Sequence, residues 1–417
     1  MSKPEANPTT IVCLATYFKG GDFIRECKRL GCRVILITKE KMLQEDWPRE
    51  SLDDLIAVPN DAGPPLMIDL VAFISRKIQV DCVVALEEFD VMTAALVREH
   101  FCLPGMSSST AKTFRDKFRM AETAKAAGIL LPEYVPLINA DLVRDFMTRV
   151  PPPWIVKPRS DVSAIGIRKV NTADEVWKLV NEMNERESLR ERASYYLLAQ
   201  FVAGEVFHVD SLVANNRVVF AGVNRYGRPP LEVAHGGGAY VSRTVAHRSD
   251  DEKELLKINR ALVKALKRER GAAHAEFIKN EADGRFYFLE IAARVGGAYI
   301  ADVLDAASGL NLWREWAKME VAEARQQTDH QQVPSIKAIK PERNDYAGIV
   351  LSLSKQECPD TSSYDDAEIV YRVKKLQHAG LIVRSKKLER VEELLTQYTK
   401  RFVNDFVAVV PPLEKAE

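Results

Sequence analysis

Two glutamates and one arginine near the end of the central region carry the clearest chemical signal in this chain. Glu276 stands in Ala-His-Ala-Glu-Phe-Ile, and Glu290 and Arg294 stand in Phe-Leu-Glu-Ile-Ala-Ala-Arg. An unpaired carboxylate in such apolar surroundings is costly, which argues against two solvated surface glutamates. Carboxylate oxygens suit Mg²⁺, and an arginine four residues further on could hold a phosphate oxygen. The residue types therefore indicate a site for a metal ion and a phosphate.

The elements that carry the two glutamates are expected to form an antiparallel hairpin. Residues 274–278 and 285–291 have the pattern of strands, and Asn-Glu-Ala-Asp-Gly at 280–284 is typical of a turn. A hairpin would bring Glu276 and Glu290 towards one point, where two like charges repel each other. We expect this repulsion to be tolerable only with Mg²⁺ between the carboxylates and the phosphates.

Composition and charge narrow the class of protein. The chain has 417 residues, of which 46% are hydrophobic and 28% charged, as in ordinary globular proteins. Lys+Arg and Asp+Glu both number 59, so bulk charge indicates neither a nucleic-acid nor a membrane partner. The six cysteines are scattered, the polar N-terminus does not resemble a signal peptide, and no apolar run reaches the length of a membrane span. We expect a cytoplasmic protein with reduced thiols.

The order of predicted elements indicates an α/β protein. Residues 11–103 should form a small doubly wound unit, with strands at 11–15, 33–38 and 81–86 and helices at 22–30, 66–78 and 91–100. Such units often bind ligands at the carboxyl ends of their strands. The elements predicted beyond it are a helix over 107–127, strands at 154–158, 167–170, 195–202, 207–213 and 218–223, and helices over 174–184, 252–268 and 388–404.

Taken in order, these pieces resemble the ATP-grasp superfamily over nearly the whole chain. The similarity rests on Arg115-Asp-Lys117, Ile155-Val-Lys157-Pro, the small-residue loop at 159–166, Gln200-Phe-Val, Glu276, Glu290-x-x-x-Arg294 and a tail from His378. The chain looks most like the carboxylate-amine ligase type, in the L-amino-acid ligase and biotin carboxylase-like branches. The resemblance implies a pre-ATP-grasp, Rossmann-like domain at 1–105 and a two-lobed ATP-grasp core at 106–320. It also implies a mobile lid lobe at about 132–203 and a C-terminal α/β cap at 321–417.

The resemblance also implies roles for individual residues. ATP would be held by Lys117, Lys157, Ser160, Ser163, Gly166, Gln200, Phe201, Val202 and His208. Mg²⁺, with Mn²⁺ as an alternative, would be bound by Glu276 and Glu290, and Lys157 and Arg294 would act in catalysis. Substrate contacts are expected from Arg225, Glu232, His235, Gly237 and Arg294. Other readings stay open: His208 could be a satisfied core histidine, the loop an ordinary hairpin turn, and the substrate residues solvated loop charges.

Two positions depart from the pattern of the resembling enzymes. Val206 stands where many relatives have a glutamate for the ribose, and Ala292 stands where most have an asparagine that helps a second metal ion.

His235-Gly-Gly-Gly238 also resembles an esterase oxyanion loop, but the G-x-S-x-G motif that an esterase needs is absent.

The function that the resemblance implies is ATP-dependent ligation of small molecules. A carboxylate would be activated as an acyl phosphate and attacked by an amine, with amino acids as the expected substrates. The resembling branches also imply a possible homodimer. Two alternatives remain: a biotin carboxylase-like carboxylating enzyme, and an ATP-binding regulatory or scaffold protein without turnover. Ala292 is the feature that supports the last alternative.

Overall fold

The N-terminal part of the chain folds into a parallel four-stranded sheet with helices on both faces. The computed structural model describes residues 8–161, 165–329 and 338–408. The elements here are β1 (Thr10–Ala15), α1 (Gly21–Arg29), β2 (Arg33–Lys39), β3 (Asp54–Val58), α2 (Pro64–Ser75), β4 (Cys82–Ala85) and α3 (Val91–His100). The strand order is β3-β2-β1-β4. The predicted α/β unit is confirmed. Its edge strand β3 was not predicted, because its half-exposed residues give a weak apolar signal.

Two helices, rather than one, connect this unit to the rest. They are α4 (Ser108–Arg115) and α5 (Lys117–Ala126). Asp116 interrupts the predicted continuous helix with an extended backbone, and its side chain accepts a hydrogen bond from the backbone N–H of Phe118. The Arg159 guanidinium holds the same carboxylate with two contacts, at 3.0 and 2.6 Å. The break therefore serves a tertiary contact, which places Lys117 in the first turn of α5.

A second four-stranded sheet forms the lobe predicted as the lid. Its elements are β5 (Tyr134–Pro136), α6 (Ala140–Arg149), β6 (Trp154–Pro158), β7 (Arg168–Val170), α7 (Ala173–Asn184) and β8 (Tyr196–Gln200). The strand order is β5-β8-β6-β7. The lobe has a separate core that includes Val143, Phe146, Trp154 and Val176. It therefore packs as a unit of its own.

The largest element is an eight-stranded sheet. It contains β9 (Gly204–Ala214), β10 (Arg217–Tyr226), β11 (Tyr240–Thr244), β12 (Arg270–Asn280), β13 (Phe286–Ala292), β14 (Tyr346–Leu353), β15 (Ile369–Arg372) and β16 (His378–Ser385). Its strand order is β13-β12-β9-β10-β11-β14-β16-β15. The helices of this part are α8 (Pro230–Gly236), α9 (Asp250–Ala265), α10 (Ile300–Ser308), α11 (Leu312–Asp329) and α12 (Leu388–Asp405).

The C-terminal segment continues this sheet rather than starting a new one. β11 pairs with β14, which joins the central strands to β16 and β15. Helix α11 runs across residue 320, the predicted end of the central domain. The predicted domain limits stay predictions, since the sheet is continuous through that point. None of the helices in the described part of the chain is long and apolar enough to cross a lipid bilayer.

Candidate functional site

A cavity of about 1050 Å³ lies where the lid lobe, the large sheet and the N-terminal unit meet. The lid contributes Lys157 and Gln200, the large sheet contributes Glu276 and Glu290, and the N-terminal unit contributes Glu88. A volume of this size is at the upper end for small-molecule and cofactor sites. The two lobes thus enclose one site with charged groups on both walls.

The two glutamates face each other directly. Strands β12 and β13 are antiparallel, with Glu276 opposite Glu290, so the predicted hairpin is confirmed. The register shifts immediately afterwards, since Phe277 pairs with Phe288, and this leaves Leu289 as an extra residue in β13. Such bulges re-aim side chains and are common beside active sites. Leu289 and Glu290 both line the cavity as a result.

A chain of hydrogen bonds fixes Glu276 from behind. Tyr226 donates its hydroxyl to Glu276 Oε1 at 2.7 Å, and His274 Nε2 lies 3.4 Å from the same oxygen. The other ring nitrogen of His274 lies 2.8 Å from an oxygen of Asp210, which is fully buried. Asp210 also contacts His208, 2.6 Å away. The pairing of the neighbouring strands β12 and β9 explains why these four side chains lie together. His274 stands opposite Asp210, and Glu276 stands opposite His208.

The charges around His274 and Glu276 determine the protonation of these two side chains. Burial lowers the pKa of His274, but Asp210 and Glu276 outweigh burial and raise it to about 10. Burial raises the pKa of Glu276, but His274 and Tyr226 outweigh burial, so that the pKa lies below its usual value. Glu276 is therefore an ionised carboxylate beside a charged imidazole. The sequence contained the signal in His-x-Glu, since residues two apart on a strand share a face.

Lysines occupy the opposite side of the carboxylate pair. Lys117 Nζ lies 3.0 Å from Glu290 Oε2 and donates to the Asp161 carbonyl oxygen at 2.7 Å. Lys157 reaches the cavity from β6, and burial lowers its pKa to about 8, although Glu290 opposes that shift. The expectation that only a metal ion offsets the repulsion between the glutamates is wrong. Lys117 already neutralises Glu290, and His274 neutralises Glu276.

Arg294 is engaged by a residue that sequence reasoning did not select. Its Nε lies 3.0 Å from Glu88 Oε2, and its Nη1 donates to the Val295 carbonyl oxygen at 2.9 Å. Arg115 holds the other oxygen of Glu88 at 2.5 Å. Glu88 is buried, which raises its pKa, but Arg294 and Arg115 outweigh burial and lower it to about 2. The available signal was its place in Glu87-Glu-Phe-Asp90, after β4 at the carboxyl edge of the N-terminal sheet.

Only some of the residues predicted to hold the nucleotide line the cavity. Lys117, Lys157, Gln200, Phe201 and Val202 all line the cavity. Ser160 and Gly166 are not among its lining residues, and Ser163 lies outside the described residues.

His208 occupies a different place from the one expected. It is completely buried, and its ring nitrogens contact Asp210 at 2.6 Å and Ser242 at 2.7 Å. Both ring nitrogens are thus used inside the sheet. This placement fits the alternative interpretation of His208 as a satisfied core histidine. It does not fit the expected contact with the ribose.

The predicted substrate residues are also dispersed. Glu232 and Arg294 line the cavity, whereas Arg225 lies outside its lining and pairs with Glu205 at 2.5 Å. Gly237 ends α8 with a φ of 68°, a conformation that favours glycine. His235 belongs to α8, and its side chain lies outside what the structure describes. The roles of these residues stay predictions.

The donor set fits a divalent metal ion together with phosphates. Glu276 and Glu290 present opposed carboxylates, and Mg²⁺ is commonly held by one or two carboxylates plus phosphate oxygens. Lys117 from α5 and Lys157 from β6 of the lid lobe add positive charge to the same space. This arrangement can bind a polyphosphate and its metal ion between the two walls.

Two family models and a curated protein match parts of this chain. A model of the ATP-grasp N-terminal domain matches residues 24–105, and a model of the ATP-grasp domain matches residues 150–302. The L-arginine-specific L-amino acid ligase of Bacillus subtilis is 22% identical over 242 residues, and the match covers 58% of each chain.

Solved structures are similar over almost the full length. The L-amino acid ligase from Bacillus licheniformis superposes with a TM-score of 0.71 at 16% identity, covering 97% of this chain and 99% of that one. The biotin carboxylase domain of a Hydrogenobacter thermophilus 2-oxoglutarate carboxylase, a dimer with MgADP, ADP and bicarbonate, gives 0.69 at 15% identity, covering 95% and 90%. With both domain models matched in order, the chain is a member of the ATP-grasp superfamily.

Proposed function

We propose that this protein is a Mg²⁺- and ATP-dependent ligase that joins a carboxylic acid to an amine. The observation that carries the proposal is the opposed pair of Glu276 and Glu290, faced by Lys117 and Lys157 in one cavity between two lobes. Phosphoryl transfer depends chiefly on positioning and on neutralising phosphate charge, and this cavity supplies both.

The proposed reaction has two steps. An oxygen of the substrate carboxylate attacks the terminal phosphorus of ATP, the bond to the ADP oxygen breaks, and an acyl phosphate forms. The amine nitrogen then attacks the acyl carbon, phosphate leaves with the bonding electrons, and the nitrogen loses a proton to give an amide. Mg²⁺, when bound, supplies neutralisation of the phosphate charge.

The chain's own residues hold the reactants in place. Glu276 and Glu290 would hold the metal ion, with Tyr226 and His274 keeping Glu276 in position. Lys157 from β6 and Lys117 from the first turn of α5 would contact phosphate oxygens, and the desolvation of Lys157 would strengthen its attraction to a phosphate. Arg294, anchored by Glu88, would face the transferred phosphate or the substrate carboxylate.

The substrates we propose are amino acids. Support comes from the Bacillus subtilis relative, whose name specifies L-arginine as a substrate of an amino acid ligase. The match spans only 58% of that relative's length, so the two substrates of this chain require a direct test. We further propose a cytoplasmic homodimer acting on small molecules.

The test is an ADP-release screen over pairs of amino acids and small carboxylic acids with Mg-ATP. A ligase should release ADP with one acid and amine pair and form the matching amide, detected by mass spectrometry. Release that requires bicarbonate and biotin would assign a carboxylase. Nucleotide binding without ADP release under any condition would assign a scaffold, the candidate that Ala292 supports.

A further inference from the structure

A second, much smaller cavity of about 40 Å³ lies between the N-terminal unit and the large sheet. No residue lines both this cavity and the larger one. Its walls include Arg98 from α3, Arg268 just before β12, Arg270 at the start of β12, and Glu320 on α11. Three guanidinium groups thus meet at a buried junction between two parts of the fold.

Two of these arginines have an N–H group without a partner. Arg98 donates from its terminal nitrogens to the carbonyl oxygens of Val83 and Met106, both at 2.9 Å. Arg268 donates to the carbonyl oxygen of Ala272 at 3.1 Å. The Nε of Arg98 and the Nε of Arg268 are both buried and have no hydrogen-bond partner in the described chain. Arg98 is 8% exposed and Arg268 is 5% exposed, so bulk water does not satisfy these groups.

The charges around the cavity do not balance. Arg270 is paired with Glu320 at 2.9 Å and with Glu323 at 3.1 Å. Those two carboxylates thus face one guanidinium directly, and no ion pair of Arg98 or Arg268 is formed within the described residues. Glu320, and after it the exposed Glu269, act on Arg98 and Arg268 through their charge alone, without an ion pair. Burying a cation without a partner is expensive, so the cluster requires a counter-charge at close range.

We propose that this cavity binds a small monovalent inorganic anion, with chloride as the natural occupant. The unpartnered N–H groups of Arg98 and Arg268 would donate to the ion, which would also supply the missing negative charge. The volume of about 40 Å³ exceeds the roughly 10–15 Å³ that one water needs, so a single small ion fits. Water alone would accept the hydrogen bonds but would leave the positive charge uncompensated.

The surrounding backbone keeps this space open. Gly105 lines the cavity with a φ of 123°, and a Cβ atom there would lie 3.1 Å from the Nε and from the Cδ of Arg98. An ion at this point would connect α3 with the start of β12, the strand that carries Glu276 further along. The inference does not depend on the proposed ligase activity.

The direct test is anomalous diffraction from crystals of the full chain grown with bromide in place of chloride. A bromide peak between the guanidinium groups of Arg98 and Arg268 is the expected result. A map that shows water and no anomalous peak there would overturn the proposal.

A solution test uses thermal unfolding of the nucleotide-free protein. Sodium chloride should raise the melting temperature saturably, by about 2 °C or more, over sodium gluconate at equal ionic strength, because gluconate is too large for the cavity. Arg98→Met and Arg98→Lys should lose most of this difference, and Arg76→Gln, at an exposed site in the N-terminal unit, should keep it. If the arginine variants do not fold, the bromide experiment on the unaltered protein decides. Equal stabilisation by both salts, or a full chloride response in Arg98→Met, would contradict the site.

Discussion

The two walls of the large cavity hold charge in different ways. On the sheet wall, Glu276 accepts a hydrogen bond from Tyr226 and contacts His274. The hydrogen-bonded contacts continue from His274 through Asp210 to His208. On the lid wall, Lys157 is half-buried and forms no hydrogen bond or ion pair with another described residue, and desolvation lowers its pKa to about 8. The sheet wall therefore completes its own network, whereas the lid wall leaves a charge for a ligand to meet.

This difference suggests that the sheet wall binds the metal ion at a preformed site, whereas the lid wall responds to the nucleotide. Glu276 lies on β12, inside the large sheet, and Glu290 lies on the edge strand β13 that pairs with it. The partners of both carboxylates are in place without a ligand, which favours a preorganised metal site. Lys157 lies on a five-residue strand in a small sheet with its own core, so its distance from the carboxylates depends on the position of the lid. Nucleotide binding should accordingly change the lid more than the sheet.

The largest effect is expected from removing one carboxylate of the pair. Glu290→Gln should lower turnover by about 10³-fold or more, because the metal and phosphates lose a charged ligand. The Mg²⁺-dependent rise in melting temperature with ATP should shrink in parallel. We expect no gain in stability without ligand, since Glu290 is paired with Lys117.

Glu254→Gln, at an exposed position on α9, is the matched control and should leave both quantities unchanged. Wild-type turnover and thermal shift in Glu290→Gln would place the metal site elsewhere.

The next largest effect concerns the lid wall. Lys157→Ala should weaken Mg-ATP binding about 10- to 100-fold, since a hydrogen bond to a charged group contributes about 1.5–3 kcal/mol. Titration calorimetry measures this directly. Lys178→Ala, an exposed lysine on α7 of the same lobe, should bind normally. Unchanged affinity in Lys157→Ala would remove this lysine from the site and with it the contrast between the walls.

A smaller effect should follow from loosening the network behind Glu276. His274→Asn removes the charge next to this carboxylate and should raise the Mg²⁺ concentration for half-maximal activity about tenfold, as is typical for groups that orient a ligand. ATP affinity measured without metal should not change, and this separates a positioning role from general damage. His100→Asn, at an exposed site on α3, is the control. An equal loss of ATP affinity would argue for a merely structural histidine.

The smallest expected signal is a difference in hydrogen exchange between the walls. Adding ATP and Mg²⁺ should slow exchange several-fold within residues 132–203, including β6 and β8, and should change β9 and β12 less. Mass spectrometry of peptic fragments resolves these strands. Equal exchange in the lid with and without nucleotide would remove the proposed mobility of this lobe.

Part of the site could be predicted because it depends on local sequence. The apolar runs around Glu276 and Glu290 and the turn at 280–284 predict a hairpin, whereas the bulge at Leu289, which sets Glu290 opposite Glu276, was not predicted. Lys117, Lys157 and the segment 200–202, which were predicted as nucleotide contacts through their resemblance to a family pattern, all line the cavity.

Other features depended on contacts between distant segments. The helix predicted over 107–127 is divided at Asp116, where Arg159, 43 residues away, holds the Asp116 carboxylate. His208 was expected to face a ligand but lies inside the sheet, since neighbouring strands supply Asp210 and Ser242 to its ring. Nothing in its local sequence distinguishes these environments.

By itself, then, the sequence determined the fold class, the order of the elements and the hairpin that carries the two carboxylates, because these follow from short-range patterns of apolar, polar and turn residues. Only the tertiary structure decided which cations neutralise that pair, that Glu88 anchors Arg294, and that three arginines share a buried cavity. The physical reason is that the pKa and the partner of a charge depend on burial and on strand register between segments far apart in the chain.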